Sequence, residues 1–310
     1  MTDKAKTLEK FNRERKRALK YPEKYQRVYE DNKTDLMHYI DRGCVKREPA
    51  VNDRLPFLPW ELFISEIKIP IDYYELQAQK LLVQDGQLSL TYVGHSLSYA
   101  YLDCVFEYFK SQRFVTRFDR ERERGVSPDS VFYLAIAVIL QQSKHACHIF
   151  RLFEVGYPRH WVNRSKSHIG DLIILLFDAA NGSKSMTPIV DGFAYADIVA
   201  DWNTEDLDLL TAHLTRLCDD QVAQVAAPPS KCFFEFDNGN WQFTPYAALM
   251  LLALRAQHGL PNPDFSHPGF GNVTHLLPDA PVAPLEDELL SQLLTRIRTQ
   301  GFDEETALQA

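Results

Sequence analysis

Five cysteines are scattered along the 310 residues, at Cys44, Cys104, Cys147, Cys218 and Cys232, with no CxxC pair among them. That spacing excludes a disulfide framework and a zinc ribbon. Long apolar runs are also missing: stretches such as Val131–Leu140 and Leu172–Phe177 fall short of the ~20 residues a membrane helix needs. The first twenty residues, MTDKAKTLEKFNRERKRALK, lack the apolar stretch of a secretory leader. A reduced, soluble, cytoplasmic protein without membrane contact is expected.

Phosphate-binding loops are absent as well. There is no GxxxxGK[ST] or GxGxxG, and Gly269-Phe270-Gly271 sits among prolines instead of between a strand and a helix. Neither a GxSxG elbow nor an HExxH helix occurs. The acid pairs Asp206/Asp208 and Asp219-Asp220 lack the glycine-turn spacing of a calcium loop. His145 and His148 flank Cys147 and form a conceivable metal half-site or cysteine–histidine couple, but nothing at ligand spacing completes it. The expectation is a protein with no cofactor, no metal and no catalysis; an enzyme built on His145, Cys147 and His148 is the alternative.

What the chain does have is helix punctuation. Ser127-Pro128-Asp129 places a capping serine before a proline that suits the first helical turn. A buried helix is expected from there to about Leu152. Thr187-Pro188 repeats the device before IVDGFAYADIVADW, and Thr244-Pro245 repeats it before YAALMLLALRAQH, which Gly259 ends. Asn203-Thr204 is expected to open EDLDLLTAHLTRLCDD, with Glu205 and Asp206 in the first turn, where acids suit the helix dipole. Leu90, Val93, Leu97, Tyr101, Cys104 and Tyr108 advance by three or four, as do Leu207, Leu210, Leu214 and Leu217. Leu289, Leu290, Leu293, Leu294 and Ile297 continue the pattern. Short strands are conceivable only at Ile64–Ile69 and Cys232–Phe236.

The fold class that follows is all-α: a bundle of antiparallel helices with a proline-rich irregular loop, 259–284, before the last one. Residues 1–55 read as a polar, basic helical arm or cap. Residues 56–165 read as an N-terminal layer, and 166–310 as a C-terminal acidic layer.

Charge is divided unevenly among these stretches. Residues 1–54 hold 15 Lys/Arg against 10 Asp/Glu, whereas residues 167–310 hold 6 against 20. Ten acids fall between Asp191 and Asp237: Asp191, Asp197, Asp201, Glu205, Asp206, Asp208, Asp219, Asp220, Glu235 and Asp237. Such a surface repels nucleic acid, which is bound by neutralising its phosphates, and it attracts a basic protein. The basic N-terminal stretch could touch nucleic acid, yet its cations alternate with acids and equally suit a helix laced with ion pairs. The expected partner is therefore a protein, with no direct nucleic-acid contact. Among the aromatics near the acids, Trp202, Phe234 and Trp241 are expected mainly as core anchors, with Trp202 a candidate contact.

Tyr195–Pro278 carries three pieces that resemble one known family. They are YADIVADW at 195–202, the acid-bearing helix 204–220, and FEFDNGNWQFTPYAALMLLALRAQHGLPNPDFSHP at 234–268. The combination of Trp241-Gln242-Phe243-Thr244-Pro245 entering a helix, then Asp264-Phe265-Ser266-His267-Pro268, is similar to the PoNi-type immunity proteins. These protect bacteria from PoNe-type DNase toxins of type VI and related secretion systems. Where family members often carry Gly-Tyr-Trp followed by a helix glutamate, this chain has Gly239-Asn240-Trp241 and no acid entering the helix. The resemblance implies an all-α, non-catalytic inhibitor that binds a toxin protein, a nuclease with a basic surface. The ten acids and Trp202 are its candidate contacts; a helical adaptor for another basic protein is the alternative.

Overall fold

A computed structural model describes residues 3–44, 60, 64–162, 167–183, 185–227, 235–236 and 240–309, and the chain is all-α. Helices α1 (Asp3–Ala18) and α2 (Tyr21–Arg42) precede a helical hairpin of α3 (Lys68–Asp85) and α4 (Leu90–Phe118). Gly86, in the left-handed region at φ 70°, stops α3, and the Ser89 side chain caps α4. Then follow α5 (Val131–Ile139), α6 (Ser143–Gly156), α7 (His168–Ala180), the short α8 (Ala196–Ala200) and α9 (Leu207–Ala226). Helices α10 (Tyr246–Gln257), α11 (Glu288–Thr299) and α12 (Glu304–Gln309) come last among the described residues. Between α10 and α11 lies a two-residue antiparallel hairpin, β1 (Ser266–His267) with β2 (Gly271–Asn272).

Helices that are apolar all round belong inside, and two of these are. Every residue of α5 is buried, and so is Tyr246–Arg255 of α10. These two pack on each other, and α4, α6 and α7 close around α5. The outer helices are amphipathic. Leu289, Leu290, Leu293, Leu294 and Ile297 of α11 are all buried, as their spacing predicts. Trp241 is also buried, stacked on Phe132 at 4.9 Å.

The N-terminal helices are packed onto the body. Phe11 of α1 is fully buried, edge-on to Phe243 and Phe270 at 5.4 and 5.3 Å. Arg15 donates to the carbonyls of Gly269 and Leu82, and α2 lies against α3 and α11. A tyrosine cluster seals that seam. Tyr29 stacks on Tyr73 at 3.9 Å, while the Tyr74 and Tyr99 hydroxyls both donate to Asp287, which also caps α11.

Four local expectations change. The helix expected from Ser127 to about Leu152 is two helices, broken at Leu140–Gln142, with Gln141 at φ 58°. The proline-rich segment takes up the freed groups: Val282 N–H donates to Leu140 O and Gln142 Nε2 donates to Val282 O, each at 3.0 Å. Thr187-Pro188 opens no helix, because carboxylates of α7 capture the amides that a first turn would leave free. Asp171 accepts from Ile189 and Val190 N–H at 2.7 and 2.8 Å, and Asp178 accepts from Met186 N–H. Helix α9 starts at Leu207 instead of after Asn203-Thr204, because Asp206 is the residue whose carboxylate caps the Asp208 and Leu209 amides, at 2.9 and 3.0 Å. Ile64–Ile69 is not a strand: Ile64–Ile67 is a 3-10 turn leading straight into α3, whose first turn tolerates Pro70. The other strand expectation, Cys232–Phe236, falls largely outside the described residues.

Candidate functional site

The acids that cluster in the sequence separate in space into three kinds. The first kind is internal. Glu235 is buried and accepts from Ile169 N–H at 2.9 Å and Gln224 Nε2 at 2.7 Å, tying α7 to the end of α9. It serves the fold and presents nothing to a partner. Asp237 lies outside the described residues.

The second kind is at the surface but already engaged. Asp197 lies 2.8 Å from Arg216, whose guanidinium also donates to Ala194 O and covers the Tyr195 ring at 5.2 Å. Asp201 faces His213 Nε2 at 3.1 Å. Asp220 accepts the Tyr195 hydroxyl at 3.0 Å. Asp219 lies 2.8 Å from Lys4 of α1 and 3.1 Å from His267 Nε2. Partial burial works against its charge, but the Lys4 and His267 bonds outweigh it and hold the carboxyl below its ordinary range. A cavity of about 260 Å³ between α1 and α9 is lined by Lys4, Asp219 and His267 among others. His267 is not a free base there: Gly269 N–H donates to its Nδ1, so Nε2 carries the proton given to Asp219. It orders the loop.

The third kind is open. Asp191, Glu205 and Asp208 are exposed and have no ion-pair partner among the described residues. Asp206, also exposed, spends one oxygen on the cap. Between them stand Leu207 and Leu209, each 37 % exposed. The first turn of α9 therefore displays Glu205-Asp206-Leu207-Asp208-Leu209, acids and leucines together. Like charges crowding a helix N-terminus are tolerated because the helix dipole favours them.

A buried arginine anchors the chain just before this turn, at Trp202. Arg255, fully buried on α10, donates to Trp202 O at 2.8 Å, Pro261 O at 2.7 Å and Asn262 Oδ1 at 3.2 Å. Trp202 itself is half-buried, its ring edge-on to His258 at 5.0 Å. Sequence reasoning missed Arg255, although a lone cation closing the apolar run AALMLLAL was the available signal. It also missed the exposure of Leu207, which its spacing had placed on the buried face.

Both histidines of the His145–Cys147–His148 group are hydrogen-bonded within the fold. Gln142 Nε2 donates to Val282 O, so its Oε1 accepts, and His145 Nδ1–H donates to it at 2.5 Å. Burial, then the nearby His148 and Lys144, push the His145 imidazole down to about 4. His148 Nδ1 meets the Tyr101 hydroxyl at 2.8 Å, and Cys147 is exposed. Among the described residues no group of three or more His, Cys, Asp or Glu is arranged to hold a metal ion. No described helix is long and apolar enough to cross a membrane.

The chain matches no protein-family profile, no curated protein and no solved structure.

Proposed function

We propose that this chain is an immunity protein: it neutralises a bacterial toxin, a nuclease with a basic face, by direct binding. The observation that carries the reading is the first turn of α9, where unpaired carboxylates surround two exposed leucines just after the Arg255 anchor at Trp202. A nuclease must offer cations to its substrate's phosphates. Opposed fields steer two such proteins together and raise association rates by about 10–10³. Rim charges set the encounter, whereas apolar groups buried at the centre set the lifetime of the complex. The α9 turn has both elements. A specific interface of roughly 1,200–2,000 Å² extends well beyond one helical turn, and the half-buried Trp202 lies beside it.

The test is growth of a bacterial culture expressing the toxin candidate encoded beside this gene, with and without the chain. Rescue is expected. A toxic neighbour that the chain does not relieve would move the adaptor reading to first place.

In stopped-flow mixing with the purified partner, Asp191→Asn, Glu205→Gln, Asp206→Asn and Asp208→Asn together should slow association about tenfold at low salt and flatten its salt dependence. Asn retains the capping geometry at 206. Asp197→Asn with Asp219→Asn, which alter carboxylates already paired, should change the rate much less. An unchanged rate in the fourfold variant would sink the steering mechanism.

A further inference from the structure

The cations of α1 are not spread around the helix. Lys6, Lys10, Arg13 and Arg17 follow one another at i, i+4, i+7 and i+11, which places them on one face, and all four are exposed. The other face is committed: Phe11 and Ala18 are buried, Leu8 packs against the core, and Arg15 bonds the Gly269 and Leu82 carbonyls. At 1.5 Å per residue the stripe runs about 16 Å.

The acids of α1 do not cancel it. Glu14 lies 2.8 Å from Arg17 and 3.6 Å from Arg13, but exposed pairs of this kind are worth ~1 kcal/mol or less and exchange readily. Lys6 and Lys10 have no ion-pair partner among the described residues. Lys16, Lys20 and Lys24, all exposed, continue the positive charge past the helix end. The interleaved sequence is therefore not a helix neutralised by its own ion pairs.

We propose that this face of α1 binds the phosphate backbone of duplex DNA, without reading its sequence. A strand of duplex presents one phosphate per ~3.4 Å of axis, so about five face a stripe of this length. Contacts to phosphates alone position a protein and carry no base information. A lipid surface fits less well. Membrane-lying helices insert an apolar face, and the apolar face of α1 is already buried in the protein. With a net charge of −8, the chain has no general affinity for polyanions, so binding is confined to the stripe. The proposal stands apart from the toxin reading and departs, for α1, from the expectation of no nucleic-acid contact.

The test is fluorescence anisotropy of the full chain with a labelled duplex of about 25 base pairs between ~50 and ~200 mM salt. Four neutralised phosphates give a slope of log K against log salt of about −3 to −4. Lys6→Gln, Lys10→Gln, Arg13→Gln and Arg17→Gln together should weaken binding at least about tenfold at the lowest salt and bring the slope close to zero. Gln retains helix propensity, which circular dichroism checks. If the fourfold variant loses helix, the Lys6→Gln/Lys10→Gln pair should still reduce the slope by about two. Arg120→Gln with Arg124→Gln, exposed cations off the stripe, should leave binding unchanged. Absence of binding at ~50 mM salt, binding retained by the fourfold variant, or binding to anionic phospholipid vesicles but not to the duplex overturns the proposal.

Discussion

Replacing Arg255 with leucine is expected to destabilise the fold by about 3 kcal/mol, read as a lower urea midpoint at constant slope. The guanidinium satisfies two main-chain carbonyls, Trp202 O and Pro261 O, together with the Asn262 side chain. Leucine fills part of the volume and leaves those acceptors in a dry interior, at roughly 1–3 kcal/mol for each unsatisfied group. The desolvation that burial of the cation costs is recovered, which keeps the net below the simple sum. Lysine should restore less than half, since one ammonium cannot reproduce a planar fork. The local consequence is larger than the global one. Amides at Leu207–Leu210 should exchange faster, and affinity for the proposed toxin should fall with them, because the 201–206 turn loses its anchor. An unchanged midpoint and unchanged exchange would show that Arg255 does not hold the turn.

The second large effect depends on pH. Glu75 is fully buried and accepts the Tyr246 hydroxyl at 2.9 Å through Oε2, while Oε1 is buried without a geometric hydrogen-bond partner among the described residues. Burial first, opposed by bonds from Ser96 and Tyr246, pushes its carboxyl up to about 7. Asp103 of α4 is also raised, by burial and then by its neighbour Glu107, against Lys68, Lys110 and Arg122. Between the ordinary carboxyl range and about 7, the folded chain holds protons that the unfolded chain releases. Stability is therefore full at low pH and is lost as pH rises, at up to about 1.4 kcal/mol per unit for each group. His145 acts in the opposite sense. Its lowered value, about 4, removes stability as pH falls below its unfolded value of 6.5. The two trends offset each other on the acid side, so the clean window is pH ~6.5 to ~8. There the parent should weaken with rising pH, and Glu75→Gln should make the decline shallower, with Asp103 still contributing. At pH ~8 the variant should be the more stable by about 3 kcal/mol. Its amide also offers a donor to Gln79 Oε1, one helical turn away and otherwise unpartnered. A variant that follows the parent through this window would rule out Glu75 as the titrating group.

Helices whose sequence is locally self-consistent were legible in advance. Pro245 and Gly259 bracket α10, and the leucines of α11 mark its buried face, because capping and periodicity act over a few residues. Two of the errors arose where a distant segment competes for the same backbone groups. Nothing between Ser127 and Leu152 announces the break at Gln141; it is stabilised by Val282, about 140 positions away. Thr187-Pro188 is a sound helix start whose amides α7 takes first. Surface charge suffered the same loss. Ten acids in one stretch suggested a single field, yet Glu235 turned inward and Asp197, Asp201, Asp219 and Asp220 found partners, Asp219 with a lysine more than 200 positions earlier. Of the acids left open, Glu205, Asp206 and Asp208 share the start of α9, where no ion pair forms among the described residues.

The tyrosines sealed around Asp287 have an optical consequence. Burial, aided at Tyr74 and Tyr99 by the Asp287 charge, holds ten of the chain's 14 phenols above their ordinary value. An alkaline titration followed in the ultraviolet phenolate band should therefore lag well behind that of the urea-unfolded chain. The share owed to Tyr25, Tyr29, Tyr39, Tyr73, Tyr74 and Tyr99 should then rise abruptly as α2 separates from α3 and α11, making ordinary absorbance a dye-free reporter of whether the N-terminal helices are seated.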